Sequence, residues 1–178
     1  MKGGDMGATI HVLIIGAALA ATPDRYVDVR VERGDVQITT QSGRRLIGPK
    51  DSEQVDAEMP AVSPDRRSVG WLALYNVCAQ SYPCPIKLIV LRDGHVHKFV
   101  GAQPIYRWCF LGGGKRVAFE SEFPHGEQGV SYHLFDGVTG RELDSYAPST
   151  DNNGDALPGP DPKRPKWVDE LNASTFKR

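Results

Sequence analysis

Apolar and polar residues alternate along much of this chain with a period of two, the mark of strands that bury one face. In Tyr26-Val27-Asp28-Val29-Arg30-Val31-Glu32, the three valines face one way while Asp28, Arg30 and Glu32 face the other. Arg33-Gly34-Asp35 then reads as a turn, 36–40 as a second strand, and Gln41-Ser42-Gly43-Arg44 as a turn into Arg45-Leu46-Ile47. A polar stretch over 48–58 shows no period. The run 69–77 is the most apolar strand, with Val69, Trp71, Ala73 and Tyr75 on one face and Leu72 and Leu74 on the other. Both of its faces are expected to be covered, as in an inner strand packed between sheets. Strands follow over 86–91 and 95–100, joined by Asp93-Gly94, a two-residue hairpin signal, and then over 106–111, 116–123 and 131–135, the pattern ending at Tyr146.

The order of turn, strand, variable loop and tight hairpin occurs twice. It begins at Ser63-Pro64-Asp65-Arg66-Arg67-Ser68-Val69 and again at Leu111-Gly112-Gly113-Gly114-Lys115-Arg116-Val117, the second copy closing through 132–142. The period is about 45 to 48 residues, the spacing of propeller blades. These segments resemble the blade repeat of TolB-type and WD40-like propellers, with a Ser-Pro-Asp-Gly-Lys turn, an apolar strand, and a strand ending in Asp before a Thr-Gly turn. Here Arg66 stands where that repeat has glycine, and Leu111-Gly112-Gly113-Gly114 replaces the whole turn. The resemblance covers about half of the chain beyond the leader and implies an all-β fold of antiparallel four-stranded propeller-like sheets, two units plus an N-terminal hairpin. It brings no catalytic residue with it. Closed propellers need about four to eight blades, so two units and a part are expected to pack as an incomplete propeller or sandwich, folded face to face, against another copy, or completed by a partner.

Both ends differ from this body. Residues 1–21 read as a secretory signal, with Lys2, an apolar run over 8–19, and Ala18-Leu19-Ala20 before a cleavage site. The run is short for a bilayer span of roughly 20 residues, so cleavage is expected, leaving no membrane span and a periplasmic or extracellular location. The all-β domain then occupies 22–147, and 148–178 forms a Pro/Gly-rich tail. Pro158, Pro160, Pro162 and Pro165 prevent a strand or helix through the tail, after which Trp167-Val168-Asp169-Glu170-Leu171 offers a helical turn able to dock Trp167 and Leu171.

Composition narrows function mainly by exclusion. A formal net charge of -1 gives no basic field for nucleic acid. Nineteen glycines and thirteen prolines suit short strands and many turns. Cys78 and Cys84 share a loop and are expected to form a disulfide in an oxidising compartment, whereas Cys109, between Trp108 and Phe110, reads as a buried inert thiol. His95 and His97 lie on one strand face and are weak metal candidates. Glu120, Glu122, His125 and Glu127 make the densest acid and imidazole cluster, and Glu120, Glu122 and His125 are the weak catalytic candidates, since paired carboxylates serve acid/base chemistry. The oxygen-rich 151–155 lacks the spacing of a calcium loop. Asn172-Ala173-Ser174 is a glycosylation sequon. Gly112-Gly113-Gly114-Lys115 leads into a strand, not a helix N-terminus that would cradle phosphate.

No cofactor fingerprint is present. The leading expectation is a secreted or periplasmic non-enzymatic module that binds a protein partner, or self-associates, through an exposed sheet edge or loop ends. Behind it stand a small hydrolase or cation-dependent enzyme using Glu120, Glu122 and His125, and a structural envelope component.

Overall fold

The computed structural model describes residues 24–77, 82–101, 103–122, 129–150 and 161–174. They form eleven strands: β1 (Tyr26–Glu32), β2 (Asp35–Thr40), β3 (Arg45–Ile47), β4 (Asp56–Val62), β5 (Ser68–Tyr75), β6 (Cys84–Arg92), β7 (His95–Val100), β8 (Ile105–Leu111), β9 (Arg116–Glu122), β10 (Val130–Asp136) and β11 (Glu142–Tyr146). One helix, α1 (Lys166–Ala173), follows. The fold is all-β and every strand pairing is antiparallel. Each sheet is a meander of sequence neighbours: β1-β2-β3, then β4-β5-β6-β7, then β8-β9-β10-β11. The two sequence units are thus two four-stranded sheets, and the N-terminal hairpin, with β3, makes a three-stranded sheet of its own.

The sheets stack face to face in chain order, and period two in β5 explains why. Val69, Trp71, Ala73 and Tyr75 turn to the first sheet, where they meet Tyr26, Val36 and Ile38. Leu72 turns the other way and packs with Leu88, Val90 and Phe99 against Ile105, Trp108, Val117 and Phe119 of the last sheet. Burying side chains of this size on both faces contributes about 1.5–3 kcal/mol each. Gly70 is obligatory here, because a Cβ would lie 2.6 Å from the Trp108 ring.

The outer face of the last sheet, with Leu111, Ala118, Leu134 and Tyr146, is closed by α1 through Trp167, Val168 and Leu171. Trp167 and Leu171 dock as the sequence suggests, on a helix of eight residues. An isolated helix of that length is unstable in water, so packing holds it. Trp167 Nε1 donates to Asp144 at 2.8 Å and Tyr146 Oη donates to Asp161 at 2.8 Å.

β4 is a strand that the sequence pattern hides within an aperiodic stretch. Pro60 sits in a bulge where the register shifts between Glu58 and Ala61, and Met59 takes φ +50. A bulge tolerates a proline with no N–H to give, but it also breaks the alternation that would reveal the strand.

Candidate functional site

Two polar clusters and one strand edge stand out from the packed faces. At one end of the stack, the Ser63-Pro64-Asp65 turn meets the Gly112–Gly114 turn of the next unit. Asp65 Oδ1 accepts Ser63 Oγ at 2.6 Å and the Arg67 amide at 3.1 Å, while Oδ2 accepts Arg92 at 3.0 Å. Burial pushes the Asp65 carboxyl up, but the hydrogen bonds from Ser63, Arg67 and Arg92 outweigh it and hold the group below its ordinary value. Arg92 is buried and also donates to Ser68 Oγ at 2.8 Å and to the Gly114 carbonyl at 3.1 Å. One guanidinium therefore ties the middle sheet to the last. Gly114 has φ +95, and a Cβ there would lie 2.7 Å from Asp65 Oδ1, so the two turns interlock only with glycine at this position.

The second cluster lies at the opposite end. Asp51, in the connection from β3 to β4, accepts Lys87 and the Tyr75 hydroxyl on Oδ2 and Lys98 on Oδ1, the last two at 2.9 and 2.7 Å. The Lys87 ammonium also stands 4.8 Å from the Tyr75 ring centroid. Hydrogen bonds from Lys87, then Lys98 and Tyr75, hold the Asp51 carboxyl well below the usual carboxylate range. Burial, then the bond to Asp51, pushes the Tyr75 phenol well above its ordinary value. Acid/base catalysis wants groups that titrate near the working pH, and this cluster drives its acid and its phenol away from it. Its product is fixed charge: two ammonium groups on one carboxylate.

The candidate residues from the sequence are not brought into one site. Glu120 is buried on β9 and accepts Arg107 Nε at 3.1 Å and Arg107 Nη2 besides. It is the buried half of an anchored ion pair. Glu122 is half-buried at the end of β9. His125 and Glu127 lie outside the described residues, as do 1–21 of the leader reading, Cys78 of the expected disulfide and the oxygen-rich 151–155. Cys84 is buried at the start of β6.

Cys109 is a buried free thiol under α1, and burial pushes its pKa up, the opposite of what a nucleophile needs. His95 and His97 share a face of β7, but His97 packs on Phe99 and against Gly140 of the β10–β11 turn. Among the described residues no three His, Cys, Asp or Glu side chains come together as a metal site. Asn172 of the sequon lies within α1, half-buried, with its Oδ1 turned inward. None of the described helices is long and apolar enough to cross a membrane.

The described pocket is a shallow polar depression of about 120 Å³ on the outer face of the first sheet, lined by Arg30, Glu32, Gln37, Thr39 and Arg45 among others. The sequence pattern placed the strand 95–100 but not its position at a sheet edge, and did not single out Asp51 or Arg92. Arg92 had one available signal, a charged residue closing the apolar run Leu88-Ile89-Val90-Leu91 just before the Asp93-Gly94 turn. The chain matches no protein-family model and no curated protein.

Proposed function

We propose that the chain is a non-enzymatic protein-interaction module of the periplasm or extracellular space, built from propeller-type blade units of the TolB and WD40-like kind. One observation carries the reading. Both faces of the middle sheet and both faces of the last sheet are used in packing, which leaves strand edges, connecting loops and the polar outer face of the first sheet as the surfaces on which such a stack meets another molecule. The candidate acid Glu120 is engaged by Arg107, which supports a structural role for it. The location rests on the leader reading of 1–21, and an oxidising compartment of that kind is what a Cys78–Cys84 disulfide would need. N-terminal sequencing of secreted protein is expected to begin near Thr22, and non-reducing mass spectrometry is expected to find Cys78 linked to Cys84 with Cys109 free.

The deciding experiment is affinity capture from the envelope fraction of the source organism with residues 22–178 as bait. A single stoichiometric protein partner is the expected result. No partner at any salt concentration would overturn the module reading and return attention to Glu120, Glu122 and His125.

A further inference from the structure

Resting on the interaction reading and sharpening it, we infer that β7 is a strand-acceptor edge that takes an extended peptide from a partner, with an acidic residue flanked at two-residue spacing by apolar ones. Five edge strands are longer than three residues: β1, β4, β7, β8 and β11. Four of them carry a register shift that breaks the line of their backbone groups. β7 pairs with β6 in unbroken register from Arg92↔His95 to Lys87↔Val100. Bulges are a common device for blunting an edge, and β7 has none.

The direction of its free backbone groups follows from the turn. Asp93 and Gly94 have φ +47 and +85, a type I′ hairpin whose flanking pair Arg92↔His95 exchanges hydrogen bonds. Pairs then alternate along the ladder, so His95, His97 and Phe99 bond inward to β6 while Val96, Lys98 and Val100 point their N–H and C=O groups outward. None of these three makes a further backbone hydrogen bond among the described residues. Phe99 anchors the strand to the last sheet, packing on Phe135 with ring centroids 4.6 Å apart.

The side chains choose the occupant. Val96 and Val100 are 41% and 59% exposed, and they flank Lys98 on one face. A lysine on an edge ordinarily guards it, but the Lys98 ammonium is drawn back onto Asp51. There it shares one carboxylate with Lys87, so two ammonium groups stand beside the open edge on a single bonded carboxylate, with Glu53 acting on the same cluster without a bond to either lysine. An incoming strand in register therefore sets apolar residues over Val96 and Val100 and a carboxylate opposite Lys98. A second copy of β7 would instead oppose lysine to lysine, a disfavoured cross-strand pair. The acidic edge β11 offers less to a partner, since Asp144 already accepts the Ser145 amide and Trp167 Nε1.

The test is selection of random heptapeptides displayed on phage against the immobilised chain, followed by affinity measurement with the enriched peptides. Peptides with an acidic residue flanked at two-residue spacing by apolar ones are expected, weakened at least about tenfold by Val96→Pro and separately by Val100→Pro, each of which removes one outward N–H. Lys98→Ala is expected to erase the preference for acid. Circular dichroism of both proline variants verifies the fold, and either variant alone suffices. Enriched peptides indifferent to both prolines would overturn the β7 assignment while leaving the interaction reading intact. Failure to enrich any peptide would overturn the assignment too, with the module reading judged by the capture experiment. A solution mass at twice the chain mass that Val96→Pro halves would identify a second copy as the occupant and overturn the acidic-peptide assignment.

Discussion

The middle and last sheets have the same four-stranded meander, yet they are finished differently. The middle sheet has another sheet on each face, whereas the last has a sheet on one face and the short helix α1 on the other. A stack of sheets that each bury both faces has no natural stopping point, and this chain stops it in two ways. At the far end α1 lays Trp167, Val168 and Leu171 over an apolar face. At the near end the first sheet simply turns Asp28, Arg30, Glu32, Gln37 and Thr39 outward. Polar alternation in a strand and an amphipathic helix after a proline-rich stretch are thus two solutions to one problem.

Substitutions can separate what the two sheets share from what distinguishes them. The largest effect is expected in the interface they share: Trp108→Ala should cost about 4 kcal/mol in denaturant unfolding, because it empties a fully buried site and orphans the Met59 carbonyl that accepts Trp108 Nε1 at 3.1 Å. Next is the single guanidinium that joins them, where Arg92→Ala should cost about 3 kcal/mol by leaving Asp65, Ser68 and Gly114 without their shared donor.

Leu171→Ala strikes the helical finish alone. It should cost about 2 kcal/mol, and Cys109 should become faster to react with a thiol reagent; an unchanged rate would mean that α1 does not shield that thiol. Asp51→Asn touches only the side of the middle sheet that faces the first, and should cost about 1.5 kcal/mol at neutral pH. The folded carboxyl lies below its unfolded value, so its contribution is complete above the unfolded pKa of about 3.9. It is lost as the pH falls through the folded value, and the gap between Asp51→Asn and the parent should close in acid. Smallest is a gain: Arg66 takes φ +57 on an exposed turn, so Arg66→Gly should stabilise by about 1 kcal/mol, seen as a raised urea midpoint.

Much of this arrangement could be read from residue order. Alternation placed β1 and β2, although a bulge between Tyr26 and Asp28 turns Val27 out to solvent and buries Tyr26 instead; it also assigned opposite faces of β5 correctly and marked Asp93-Gly94 as a hairpin. The blade-like recurrence marked the two four-stranded units. Trp167 and Leu171 announced the docked helix, although its full length depended on a surface that lies elsewhere in the chain. β4 escaped because Pro60 and the bulge at Met59 interrupt its period. Glu120 and Asp51 were not legible in their true roles. An ion pair is set by which strands lie side by side, and Lys87, Lys98 and Tyr75 reach Asp51 from three strands. The edge of β7 was likewise invisible, since an unbroken register is a property of a pair of strands and has no local residue signature.

The meander order has a consequence for how the chain is made. Every strand pairs with its neighbour in sequence, and each sheet is complete before the next begins. When the chain emerges N-terminus first, from a ribosome or from an export channel, the first sheet can form before the rest has appeared, and each later sheet meets a finished surface instead of searching for a distant partner. Folding of this kind has short loops to close and is fast for an all-β protein. The helix that terminates the stack is the last described element to emerge, so until then the apolar face it covers stays open to water.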